Sequence, residues 1–241
     1  MIVRDTYIGA VIQQPVFDEK SAAGDSARTT GMLALFGSEF DQHIQFDFEE
    51  PPMSGLLTRH PVYYDDSCFT RDQLVPFLCA LTKRDYYKNY IRRIFWSHAK
   101  RLFFCQNYMT QFEDPKTGER VNKGFFGRDP LSPSHIGMLI LASKLYVFYP
   151  FLLLAIPWFY LDLYYFTKVA PRQEQNQTIA MAMVYGKIGL WAKWHPNWRQ
   201  SILDYWAEPF SWRSQSEVAT VIIEGIEREI ELEQRRKSQK G

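Results

Sequence analysis

The chain has 241 residues and a formal net charge of +1. That balance excludes a globally basic nucleic-acid binder, and 46% hydrophobic against 23% charged residues excludes wholesale disorder. Three cysteines, Cys68, Cys79 and Cys105, contain no CxxC pair, and His43, His60, His98, His135 and His195 lack ligand-like spacing. No metal site and no cofactor is therefore expected, and the thiols are expected to be reduced and mostly buried.

In chain order, residues 1–20 are mixed and read as irregular. A helix is expected over about Ser21 to Phe40, with Met32, Leu33, Leu35 and Phe36 as its apolar stripe. Residues 41–69, with Asp47-Phe-Glu-Glu50 and Pro51-Pro52, read as a long loop. Thr70-Arg71-Asp72-Gln73 fits a capping box, and Leu74, Val75, Phe77, Leu78 and Leu81 continue it as a helix around Pro76. A further helix is predicted over about Asp85 to Met109. Residues 113–133, rich in Gly, Pro and Asp, read as loop. Ser132-Pro133 then has the form of an N-cap followed by proline at the first helical position.

One long helical region is predicted from Ser134 to about Val169, ended by Ala170-Pro171, and another helix over 175–194. A tryptophan-rich stretch punctuated by Pro196 and Pro209 follows. Ser214-Gln-Ser-Glu217 is a second capping box, opening a last helix through Ile222, Ile223, Ile226 and Ile230. The fold expected is mainly α: one helical domain over residues 1–232, six or seven helices, and a polar, fraying tail at 233–241. No segment alternates long enough to predict more than a few strands.

Seventeen consecutive residues, Leu145 to Leu161, carry no charge. As a straight helix they span about 25 Å, a little under a hydrocarbon core of roughly 30 Å. Pro150 and Pro157 interrupt them, and Tyr146, Tyr149, Trp158, Tyr160, Tyr164 and Tyr165 gather toward the ends as an interfacial belt does. Three arrangements fit: a spanning or re-entrant segment, a helix or kinked pair lying in the interface, or a buried core helix. The stretch from Lys83 to Arg101 tips the reading toward lipid, because basic residues are interleaved with aromatics there. Arg92, Arg93, Trp96, Lys100 and Arg101, with Trp158 of the apolar run, are the candidate membrane or surface contacts. The same mixture suits nucleic acid less well, given the overall charge. The N-terminus lacks the pattern of a signal peptide, so a cytoplasmic location, free or on the cytoplasmic side of a membrane, is expected.

No GxSxG, Walker A, GxGxxG or HExxH motif occurs. Two polar clusters remain, Gly24-Asp25-Ser26-Ala27-Arg28-Thr29-Thr30-Gly31 and His60-Pro-Val-Tyr-Tyr-Asp65-Asp66-Ser67 running into Thr70–Gln73. Capping accounts for many of these residues. A functional alternative is a cleft in which Asp25, Arg28, His60, Asp65, Asp66, Arg71 and Asp72 surround a glycan, since paired carboxylates can protonate a leaving group and activate water. If both motifs pack together, Arg28 and Arg71 are expected to find Asp25, Asp66 or Asp72 as partners. Gly24-Asp-Ser-x-Arg28-x-x-Gly31 with Thr70-Arg-Asp-Gln-x-x-Pro76, and later Tyr149-Pro150 and Asp162, resembles an uncharacterised family of bacterial and phage-associated helical proteins. Those proteins in turn resemble (α/α) toroid carbohydrate-active enzymes, which implies helix N-termini lining a cleft. A complete toroid of six hairpins needs more than 241 residues.

Two functions of different class follow. The first is a membrane-associated binding or structural protein with a membrane or a larger assembly as partner. The alternative is a hydrolase or lyase acting on a glycan. The apolar run is the stronger signal and ranks the first ahead.

Overall fold

The computed structural model describes residues 26–37, 71–83, 132–169, 175–206 and 216–239, with short pieces at 3–4, 11–12, 88–89, 91–92, 95–96, 109–113 and 120–124. The fold is mainly α. Among the described residues there are eight α-helices: α1 (Ser26–Phe36), α2 (Arg71–Thr82), α3 (Pro133–Ser143), α4 (Leu152–Tyr164), α5 (Gln175–Val184), α6 (Ile188–Trp194), α7 (Trp198–Trp206) and α8 (Ser216–Ser238). Lys88, Asn89, Ile91, Arg92, Phe95 and Trp96 are also helical, within the stretch predicted as a helix.

The long region expected as one helix, Ser134 to Val169, is instead a hairpin. Lys144 adopts a left-handed conformation (φ 52°, ψ 45°). The Lys144 and Leu145 amides donate back to the carbonyls of Leu141 and Ile140, closing α3 with a Schellman motif. Glycine normally takes that position, and a lysine there gives no warning of the stop. A 3-10 turn, Tyr146–Phe151, then leads into α4, and a π-helical turn, Tyr165–Val169, closes it. The helix expected over 175–194 is likewise two, divided at Gly186 (φ 63°).

Two antiparallel ribbons complete the description. Val3–Arg4 (β1) pairs with Val11–Ile12 (β2), and Met109–Glu113 (β3) pairs with Arg120–Gly124 (β4) in the register Met109↔Gly124 to Glu113↔Arg120. The second ribbon corrects two expectations: Met109 opens a strand where a helix was expected to end, and 120–124 was read as loop.

The core is built on α5, which packs against α1, α2, α3, α4 and α6. α1 and α2 make the closest helix pair, and Gly31 permits it: a methyl group there would overlap the backbone of Pro76 and Phe77. The two helices that open with the polar motifs therefore do pack together. α8 lies on α1 and α7, with Gly225 against the Phe36 ring. Its buried positions, Val218, Ala219, Ile222 and Ile226, keep the helical period. Beyond them the helix runs to Ser238 rather than fraying after residue 232. An Arg235–Glu231 ion pair (3.8 Å) and three basic residues in the last turn complement the helix dipole there.

Where α2, α3 and α5 meet, the contact is made by sulfur. The Cys79 thiol lies 3.2 Å from Met138 Sδ and 3.8 Å from Met181 Sδ. Burial pushes this thiol far above its ordinary pKa, and the charge on Lys83 offsets only part of that.

Candidate membrane-contact surface

α3 and α4 form an antiparallel pair whose interface is set by small residues. Gly137 faces Ala155 so closely that a methyl group would strike the alanine side chain and the Tyr185 hydroxyl. Along α4 only Ala155, Phe159 and Leu163 are buried, and Thr167 extends the stripe into the π-turn. Spacing of four residues puts them on one face. Phe159 stacks on Tyr185, ring centroids 4.3 Å apart.

Leu152, Tyr160 and Asp162 flank this stripe half-buried, and the rest of α4 is open. Tyr146, Val147, Leu153, Leu154, Ile156, Trp158, Leu161, Tyr164, Tyr165 and Val169 are exposed large apolar or aromatic residues, with Val147 and Leu153 at 79% and 82%. Tyr146–Val169 is 24 residues long and apolar enough to cross a membrane by length and composition, yet only Ala155, Phe159, Leu163 and Thr167 are buried along it. A core helix is mostly buried, whereas this segment is mostly exposed among the described residues. Lys144 and Lys168, both exposed, stand at the two ends of the apolar surface.

The basic aromatic stretch reaches the same surface at the hairpin's tip. Arg92 Nε donates to the Ser143 carbonyl at 2.9 Å, placing a cation at the C-terminus of α3. Trp96, half exposed, packs edge-on against Phe148 at 5.4 Å, and Phe95 fills the space beneath. Trp158 is on the outer side of α4. Arg93, Lys100 and Arg101 lie outside the described residues.

At the opposite end, the base of the hairpin is polar. Ser134 Oγ donates to Asp162 Oδ2 at 2.6 Å, and Ser132 Oγ approaches the same oxygen at 3.3 Å. His135 Nδ1 accepts the Ser132 amide at 3.0 Å, which puts the proton of the neutral ring on Nε2. Tyr185 donates to the Ser134 carbonyl at 2.7 Å. Burial holds the Tyr185 phenol well above its ordinary range, with the neighbouring Cys79 and Asp162 adding to it. The cluster thus fixes a carboxylate at the start of α3, where the helix dipole favours it. Its geometry is that of a clasp: His135 caps the helix through Nδ1, which also lies 2.8 Å from the Ser132 hydroxyl.

Of the residues proposed for a glycan cleft, Asp25, His60, Asp65 and Asp66 lie outside the described residues. Arg71 and Asp72 open α2, in keeping with a cap-proximal position. Arg28 is 3% exposed, its guanidinium 5.4 Å from the Tyr205 ring and 5.9 Å from the Trp206 ring. The described residues bring no group of three His, Cys, Asp or Glu side chains together.

Sequence reasoning found the apolar run but not its exposed face. The residues from Leu152 to Leu161 are so uniformly apolar that no periodicity marks which side turns outward. Asp162 carries the signal that points to the clasp: a lone acid ending an apolar run needs partners, and Ser-Pro-Ser-His opens the preceding helix. Comparison with protein-family models, curated proteins and solved structures produced no match to this chain.

Proposed function

We propose that this chain is a membrane-associated binding or assembly protein, held on a lipid bilayer by the outer face of Tyr146–Val169. One observation carries the reading: ten large apolar or aromatic side chains stand exposed on a segment with a single buried stripe. Contiguous apolar surface on that scale is a contact site in soluble proteins too. Lipid is favoured here by the company it keeps. Tyrosines and Trp158 supply amphipathic rings, and Lys144 and Lys168 frame the surface with positive charge.

The magnitude is sufficient. Full withdrawal of a large apolar side chain from water contributes about 1.5–3 kcal/mol. Half of the lower figure for each of the ten exposed side chains gives about 7.5 kcal/mol, near the roughly 8 kcal/mol of a micromolar complex. Liposome flotation tests the reading. The chain is expected to float with vesicles and to require lipid or detergent to stay dispersed. A fully soluble monomer that ignores vesicles overturns it.

A further inference from the structure

Resting on that reading, we infer that Tyr146–Val169 lies along one anionic leaflet and does not cross the bilayer. The buried stripe of Ala155, Phe159, Leu163 and Thr167 runs the whole length of α4 and on into the π-turn. The body of the protein therefore flanks the segment from Ala155 to Thr167. Whatever depth α4 reaches along its axis, its neighbours reach as well.

Those neighbours are not built for hydrocarbon. α6 touches the π-turn and carries exposed Lys193 beside Trp194, whose ring meets Tyr164 at 6.2 Å. Lys168 is close enough to help depress the proton affinity of His195, although burial is the larger cause. Asp162 and its serines sit at the hairpin base, and Arg92 at its tip. Crossing would draw some of these groups through the apolar interior, where ionisable side chains are strongly disfavoured. Lying flat leaves them all at or above headgroup level.

The exposed side has the matching composition. An interfacial helix sinks its apolar face only about 5–10 Å. Aromatic rings with polar tips favour that depth, and Trp158 supplies one in the middle of the segment, between Tyr146 at one end and Tyr164 and Tyr165 toward the other. Lys144 and Lys168 at the two ends of one surface can reach phosphates of one leaflet, so the partner assigned is a lipid surface rich in acidic headgroups.

The test uses the intact chain added to phosphatidylcholine vesicles with and without 30% (roughly) phosphatidylserine, read by flotation and by a membrane-impermeant amine reagent with peptide mapping. The expected result is binding that needs phosphatidylserine and weakens with salt, with Lys144 and Lys168 each labelled to the same extent before and after vesicle permeabilisation. Replacing both lysines, Lys144→Gln with Lys168→Gln, should weaken partitioning about 10–30-fold. If one lysine is labelled only after permeabilisation, the segment crosses and the in-plane arrangement fails while membrane docking stands. Equal binding to pure phosphatidylcholine overturns the acidic-headgroup assignment alone. Absence of flotation with either vesicle, or a self-associated form that hides the surface, removes docking itself.

Discussion

α4 and α5 invert the relation between composition and burial. α4 is the more apolar, yet only three of its residues are buried. α5 begins Gln175-Asn176-Gln177-Thr178 and is buried from Gln175 to Met183. The difference lies in neighbours. α5 is surrounded by five other helices, whereas α4 leans on the bundle along one stripe. The first turn of α5 accepts this burial partly through local pairing, as where Ser201 donates to the Gln175 side-chain oxygen at 3.1 Å. Hydrophobicity is a demand to leave water; whether protein or something else meets the demand is decided by topology.

If that contrast is right, changes along the stripe and in the core cost stability, and changes on the outer face cost binding. Phe159→Ala removes the stacked ring from the α4 seam and should destabilise by about 3–5 kcal/mol in urea unfolding. A loss below about 1 kcal/mol would mean α4 is not docked as described. Gly31→Ala, at the α1–α2 crossing, should cost roughly 3 kcal/mol, because backbone rather than a mobile side chain blocks the new methyl. Ser134→Ala breaks the clasp and leaves Asp162 short of a donor, an expected loss of about 1.5–3 kcal/mol. Glycine scanning of unaffected loops is no substitute as a control; Ser238→Ala, in the exposed last turn, is the better one.

Leu153→Asn is the sharpest discriminator. On the outer face it should shift unfolding by no more than about 0.5 kcal/mol while lowering vesicle partitioning measurably. Destabilisation as large as that of Phe159→Ala would place Leu153 in a core and erase the inside–outside contrast. The smallest effect concerns His195, whose pKa is lowered, chiefly by burial. Its unfolded value is about 6.5, so the unfolded chain binds the proton more readily. The corresponding stability is complete above that pH and is lost as pH falls through the lower folded value. A His195→Gln variant should flatten the acid limb of a stability–pH curve, and an unchanged limb would assign it elsewhere.

The helical class, the Ser132–Pro133 start and the apolar run were legible because each rests on local chemistry: a cap, a ring that fixes φ, a stretch without charge. The hairpin break was not, because Lys144 does glycine's work and nothing in its type announces it. The orientation of α4 was illegible for a different reason, since periodicity carries information only where polar and apolar residues alternate. Burial at Gln175–Thr178 was concealed by polarity that tertiary packing overrode. Much of the proposed carboxylate cleft falls on residues outside those described, and the one member whose side chain is placed, Arg28, is held between helices against two aromatic rings.

The sulfur contact between Cys79, Met138 and Met181 has a kinetic consequence. Three helices close over a thiol that burial keeps protonated, and only the thiolate exchanges with disulfides. A thiol reagent therefore reaches Cys79 only when α2, α3 and α5 part. Its rate of modification, at reagent levels low enough for reclosing to win, reports how often the centre of this protein opens. The chain carries its own clock for that event, and the clock can be read with the outer face free or laid against lipid.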